Sequence, residues 1–180
     1  MIVTYKECID MYGSNYQLAK AIEDKNLFRV EAGIYSTDAI YSDLEVIVKK
    51  YPNSILTSYS AFYYHGLTDW IPDKYHLATK SKAAKLLDER VVQIYVRDDL
   101  LNVGVINENI HGVVVKMYDK ERMLIEVLRN KNVMPYDIYK EIIGNYRIII
   151  DTLEIWRIQE YVELFPKSKM IRKALEEEVF

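Results

Sequence analysis

Cysteine is nearly absent from this chain: Cys8 is the one example in 180 residues. No internal disulfide can form, which fits a reducing compartment. Histidine is scarce as well, and His65, His76 and His111 lie far apart and far from the cysteine. Neither HExxH nor CxxC spacing occurs, so no metal site is expected. The six glycines are scattered and build neither GxGxxG nor a Walker sequence. No phosphate-cradling loop, and no cofactor, is therefore expected. No apolar run approaches the ~20 residues that span a bilayer, which argues against a membrane protein. The opening MIVTYKECID lacks a positive stretch followed by an apolar block, so no secretory signal is expected and a cytoplasmic location is.

An excess of positive charge is missing too. The net charge is −3 and the isoelectric point about 5.7, which counts against a generic nucleic-acid binder. The charge is unevenly spread, however. Residues 1–40 hold four basic side chains against six acidic ones, whereas residues 74–97 hold six basic against two acidic. A phosphate-neutralising surface is thus expected in the middle of the chain rather than at its start. Half the residues are hydrophobic, enough for a sizeable core.

The first forty residues carry clear punctuation. Thr4 and Glu7 make a capping box and Gly13 stops the helix; Ser14 and Gln17 repeat the pattern and open a second helix with Leu18, Ala21 and Ile22 at helical spacing. Leu27–Val30, a turn at Glu31–Gly33 and Ile34–Ser36 read as a small hairpin. Two crossed helices followed by a hairpin are the sequence form of a winged helix. Only three residues precede Thr4, too few for the usual supporting helix, and a third capped helix at Ser42–Tyr51 is expected to pack across the pair in its place.

Farther on, a short strand at Ser54–Thr57, a helix at Ser58–Tyr64 and strands at Tyr75–Thr79 and Val91–Val96 are predicted, with a lysine-rich connector over Ser81–Leu87. Val103–Ile106 and Gly112–Met117 read as a hairpin around an Asn107–His111 loop. Asp119 caps a helix, Pro135 starts another, and Thr152–Leu164 and Ser168–Val179 complete a helical tail. The predicted fold class is α+β: a winged helix-turn-helix head over residues 1–40 and a mixed α/β body over 41–180.

A helix-turn-helix offers the first residues of its second helix to base edges in the major groove. Here these are Ser14, Asn15, Tyr16 and Gln17, with Lys20 one turn later. Asn and Gln suit bidentate bonds to adenine, and Lys20 suits a guanine or a phosphate. On the wing, Arg29 and Glu31 would flank the groove, with Arg29 on a phosphate. Glu23 and Asp24 should point away from the duplex. Lys80, Lys82, Lys85 and Arg90 are the best further phosphate contacts, with Lys82 and Lys85 on one face if their segment is helical; a merely solvated surface is the alternative. Ser60, His65 and Asp69 lie close in sequence, but a triad is defined by geometry. His65, just before Gly66, reads as a helix C-terminal histidine bonding carbonyls. In Asp119-Lys120-Glu121-Arg122, Arg122 is expected to pair with Glu121 or Glu126 and hold the body together.

In order, T-Y-K-E-C-I-D-M-Y-G, N-L-F-R-V-E-A-G-I-Y, S-Y-S-A-F-Y-Y-H-G-L-T-D-W-I-P and Y-D-K-E-R-M-L-I-E resemble the AbiEi family, between about Thr4 and Glu126. The resemblance implies a transcriptional regulator of a bacterial abortive-infection system and the antitoxin of a type IV toxin–antitoxin pair. It implies a winged helix bound to operator DNA upstream of its own operon. It also implies a body that counteracts a nucleotidyltransferase toxin without a stable complex. No enzymatic activity is expected of the chain itself. A protein- or RNA-interaction module with a vestigial winged helix is the alternative, motivated by the acidic first forty residues.

Overall fold

Local capping organises the first unit. In the computed structural model, which describes residues 1–180, α1 (Tyr5–Tyr12) starts at Thr4 with a complete capping box and ends at Gly13, in the left-handed region. Ser14 opens α2 (Asn15–Glu23) by accepting from the Gln17 amide at 3.2 Å, but Gln17 does not return the bond, so only half of the expected box is made. β2 (Phe28–Glu31) and β3 (Ile34–Ser36) form the hairpin, with a bulge between Arg29 and Glu31. The residues before Thr4 are a strand, β1 (Ile2–Thr4), which pairs antiparallel with β3 and completes a sheet of order β1-β3-β2.

Adjacent strand residues point to opposite faces, and this sheet uses both. Val3 and Tyr35 pack with Cys8, Leu18, Ala21 and Leu27 on the side of α1 and α2. Ile2 and Ile34 pack with Val46 of α3 (Asp43–Lys50) on the other. The third capped helix therefore lies under the sheet rather than across the helix pair. Two ion pairs fasten it, Lys49–Glu7 at 2.5 Å and Lys50–Glu31 at 3.0 Å. Because α3 belongs to this core, the chain divides after residue 53 and not after residue 40; the two units are residues 1–53 and 54–180.

The Lys49 ammonium, together with the Thr4 amide, holds the Glu7 carboxyl down at about 2. A carboxyl whose folded value lies below its unfolded one stabilises the fold above the unfolded value, and that contribution is lost as pH falls from about 4.5 toward 2. Glu7→Gln should therefore flatten the acid limb of unfolding in this window. The pair is partly exposed, so the expected change is under about 1 kcal/mol. Circular dichroism against pH checks it.

In the second unit, β4 (Ile55–Leu56), β5 (Tyr75–Lys80), β6 (Val91–Val96), β7 (Val105–Ile110) and β8 (Val113–Tyr118) form a sheet of order β6-β5-β4-β8-β7. β4–β8 and β5–β6 are parallel pairs; β4–β5 and β7–β8 are antiparallel. β7 runs straight through the expected Asn107–His111 loop, pairing Asn107 with Lys116, Glu108 with Val115 and Asn109 with Val114. It is an edge strand with an exposed polar run, and such a run looks like a loop in sequence. The turn is only His111–Gly112. Five helices complete the unit: α4 (Ser58–Tyr64), α5 (Lys120–Arg129), α6 (Tyr136–Ile149), α7 (Ile155–Leu164) and α8 (Ser168–Glu178).

α5 is the axis of this unit. Seven of its ten residues are buried, and α4, α6, α7 and α8 all pack on it. Met123, Leu124, Ile125, Val127 and Leu128 supply the apolar contacts such a position needs, and the charged Glu121 and Arg122 are buried with them. The fold is α+β, and no helix is long and apolar enough to cross a membrane.

Candidate nucleic-acid interface

Leu18 and Ala21 bury the inner face of α2. The opposite face is thereby open: Ser14, Asn15, Tyr16, Gln17 and Lys20 are all exposed, Tyr16 to 75%. The Tyr5 hydroxyl donates to Asn15 Oδ1 at 2.6 Å and orients that amide, leaving its NH₂ group outward. Lys20 and, on β2, the exposed Arg29 make no ion pair. Glu31, the other wing residue, pairs with Lys50 at 3.0 Å.

Glu23 overturns another expectation. Residues 16, 20 and 23 fall at helical spacing, so the exposed Glu23 shares a stripe with Tyr16 and Lys20 instead of pointing away from it. Asp24 caps the helix end. The stripe is therefore neutral where its first turn is polar and acidic where it ends.

The connector between β5 and β6 is irregular, not helical. Gln93 of β6 pins it, accepting from the Leu86 amide at 2.8 Å and donating to the Ala84 carbonyl at 3.0 Å. Lys82 and Lys85 consequently do not share a helix face, though Lys80, Lys82 and Lys85 are all exposed. The Asp98 carboxylate accepts from the Ser81 amide and hydroxyl. Those bonds first, and the nearby Lys80 and Lys82 second, hold it below the usual range. Its charge offsets part of theirs. Arg90 grips Asp88 through Nε at 2.9 Å and Nη2 at 2.8 Å, so it braces the connector rather than offering a bare cation.

Ser60, His65 and Asp69 do not hydrogen-bond one another. Ser60 Oγ donates to the Lys74 carbonyl and accepts from the His76 amide. His65 ends α4 as expected, but its Nε2 meets the carbonyl of Tyr118 in β8 at 2.7 Å rather than one of its own helix, and its pKa is lowered, chiefly by burial. The Asp69 amide is held by Glu141. No group of three or more His, Cys, Asp or Glu side chains converges to hold a metal ion.

The sequence only half disclosed the arrangement around Arg122. This side chain is fully buried between the rings of Tyr118 and Phe165, with its guanidinium carbon 4.3 and 4.2 Å from their centres. It bonds Glu126 through Nε and Nη2 and the Leu100 and Val103 carbonyls through Nη1. Arg129 reaches the same Glu126 at 3.3 Å. The signal was present as charges at 122, 126 and 129, which fall on one stripe of the helix. Beside it, Asp119 caps α5, accepts from the Tyr161 hydroxyl at 2.9 Å and pairs with Arg157.

Comparison with models of known protein families gives no match, and comparison with curated protein sequences gives none. Among solved structures, the chain is similar to that titled "Crystal structure of RV2827C protein from Mycobacterium tuberculosis". The TM-score is 0.67 over 98% of this chain and 71% of that one, at 13% sequence identity. Such a likeness shows a shared fold.

Proposed function

We propose that this chain is a DNA-binding autorepressor and the antitoxin of a toxin–antitoxin operon, acting in the cytoplasm without enzymatic activity of its own. In this reading residues 1–53 are a winged helix. α1 and α2 are the helix-turn-helix pair, β2–β3 is the wing, and β1 with α3 supplies the support that a preceding helix would give. The observation that carries it is the open first turn of α2, where Tyr16, Gln17 and Lys20 meet solvent and Arg29 stands exposed on β2. The antitoxin half rests on the ordered segments that resemble AbiEi proteins. The operon's nucleotidyltransferase is the functional partner, opposed without a stable complex.

Gel-shift titration on the chain's own upstream DNA tests the repressor half. A specific shift that weakens steeply with salt is expected. Gln17→Ala should relax base preference by about 1–3 kcal/mol at one position, while neutralising Lys82 and Lys85 together weakens all sequences alike. Glu23→Gln should strengthen binding, since it removes a like charge from the face that meets phosphate. No specific shift at low salt would overturn the repressor half; no rescue of growth on co-expression with the adjacent nucleotidyltransferase would overturn the antitoxin half.

Residues 1–53 hold six basic side chains against eight acidic ones, and this balance favours a second reading, a protein- or RNA-interaction module. Stoichiometric capture of such a partner without any DNA footprint would select it.

A further inference from the structure

We propose that two adjoining clefts within residues 54–180, between the end of α5, α6 and α8, form a track for the phosphate backbone of a single-stranded nucleic acid. They enclose about 390 and 220 Å³ and share Lys131 and Glu178 on their walls, so together they run from Lys167 at the start of α8 to Arg147 on α6. Charge sets the class of the occupant, and an exposed ring narrows it.

Six cations line the two clefts, Arg129, Lys131, Lys140, Arg147, Lys167 and Lys173, against the carboxylates of Glu177 and Glu178. Residues 54–180 as a whole hold 18 basic side chains against 19 acidic ones. The excess is therefore made by the fold and not by composition. Both carboxylates are already answered: Glu178 accepts from Lys131 at 2.8 Å and from the Tyr139 hydroxyl at 2.7 Å, and Glu177 pairs with Lys173. Four cations remain. Arg129 shares Glu126 with the buried Arg122. Arg147 gives its Nε to the Glu178 carbonyl at 2.6 Å and keeps both Nη groups. Lys140 and Lys167 are exposed and make no ion pair. A surplus spread over three helices suits a chain of phosphates better than a single anion.

The ring comes from α6. Tyr136, Lys140 and Arg147 fall on one stripe of that helix, beside the buried stripe of Tyr139, Ile142, Ile143 and Tyr146. Tyr136 is 67% exposed, with the Lys140 ammonium 5.5 Å from its ring centre. The bases of a duplex are paired and stacked on one another and have no use for such a ring. An unpaired base stacks on it while the neighbouring phosphates meet Lys140 and Arg147. An acidic protein segment would answer the cations and leave the ring bare.

The surface owes nothing to α2 and stands or falls apart from the operator reading. Fluorescence anisotropy of the full chain tests it, with labelled mixed-sequence strands of about 12 nucleotides, one of RNA and one of DNA. The duplex of the same sequence and polyglutamate serve as competitors. Saturable binding of a single strand is expected, displaced poorly by either competitor; the strand preferred, RNA or DNA, names the source. Four phosphate contacts at about −0.7 each give a log–log salt slope near −3. Lys140→Gln with Arg147→Gln should weaken binding about tenfold or more and reduce that slope by about 1.4. Tyr136→Ala should weaken it about fivefold or more and leave the slope unchanged. All three positions are exposed, and an unaltered thermal melt confirms that the variants fold. The double variant should keep the specific operator shift. Binding absent at low salt, equal displacement by duplex or polyglutamate, or affinity indifferent to these substitutions would overturn the proposal. So would loss of the operator shift in the double variant, which would make the clefts part of a duplex interface.

Discussion

Arg122→Ala is expected to destabilise residues 54–180 by about 3–5 kcal/mol, the cost of breaking a buried ion pair from one side. Three losses act together. Glu126 loses its closest cation, the Leu100 and Val103 carbonyls lose a shared donor, and Tyr118 and Phe165 face a void where the guanidinium lay. The readout can be confined to the right unit, because both tryptophans, Trp70 and Trp156, belong to it. Urea unfolding followed by tryptophan emission should show the midpoint falling steeply. The double replacement Arg122→Met with Glu126→Leu distinguishes charge from packing. It removes the stranded carboxylate and refills the space, so it should recover part of the loss. Full recovery is not expected, since the two carbonyls remain without the donor. An Arg122→Ala midpoint equal to that of the unaltered chain would show that the buried network does not hold the unit.

Which parts of this fold could be read in the sequence follows from how local their causes are. α1, α2 and α3 announced themselves because Thr4, Ser14 and Ser42 bond amides three residues on, a signal contained within four residues. β1 was invisible because three residues, Ile2–Thr4, give no period; its partner β3 lies some thirty residues away. The place of α3 was misjudged for a related reason. Val46 says that the helix is buried on one side, but only the pairing of β1 with β3 creates the second sheet face it covers. The candidate interface was legible to the same degree. α2's outward residues follow from its buried Leu18 and Ala21. The neutralising of Arg90 by Asp88, two residues before it, was in reach of the sequence; the partial offset of Lys80 and Lys82 by Asp98, brought near by the β5–β6 pairing, was not.

Gly104→Ala should be the most damaging change of a single methyl group. Gly104 precedes β7 at φ 72, a conformation that costs a residue with a β-carbon about 1–2 kcal/mol. A methyl there would also lie 2.7 Å from Arg122 Cβ and 3.0 Å from Asp119 Oδ1. Neither neighbour can yield easily. The Gly104 carbonyl accepts from the Asp119 amide at 2.7 Å, and Asp119 Oδ1 accepts from the Arg122 amide at 2.7 Å. Moving the glycine away therefore breaks its bond to the capping residue Asp119, and moving α5 displaces Arg122. Overpacking of this kind adds about 1–3 kcal/mol, so a total of about 2–5 kcal/mol is expected. Gly66→Ala is the matched control: its φ is 68, yet nothing lies within 4 Å of the added carbon, so it should cost the conformational part alone. Tryptophan-detected urea midpoints of the two variants decide the matter. A Gly104→Ala midpoint no lower than that of Gly66→Ala would mean that the first turn of α5 is free to shift, and that its buried arginine is not locked in place by the backbone beside it.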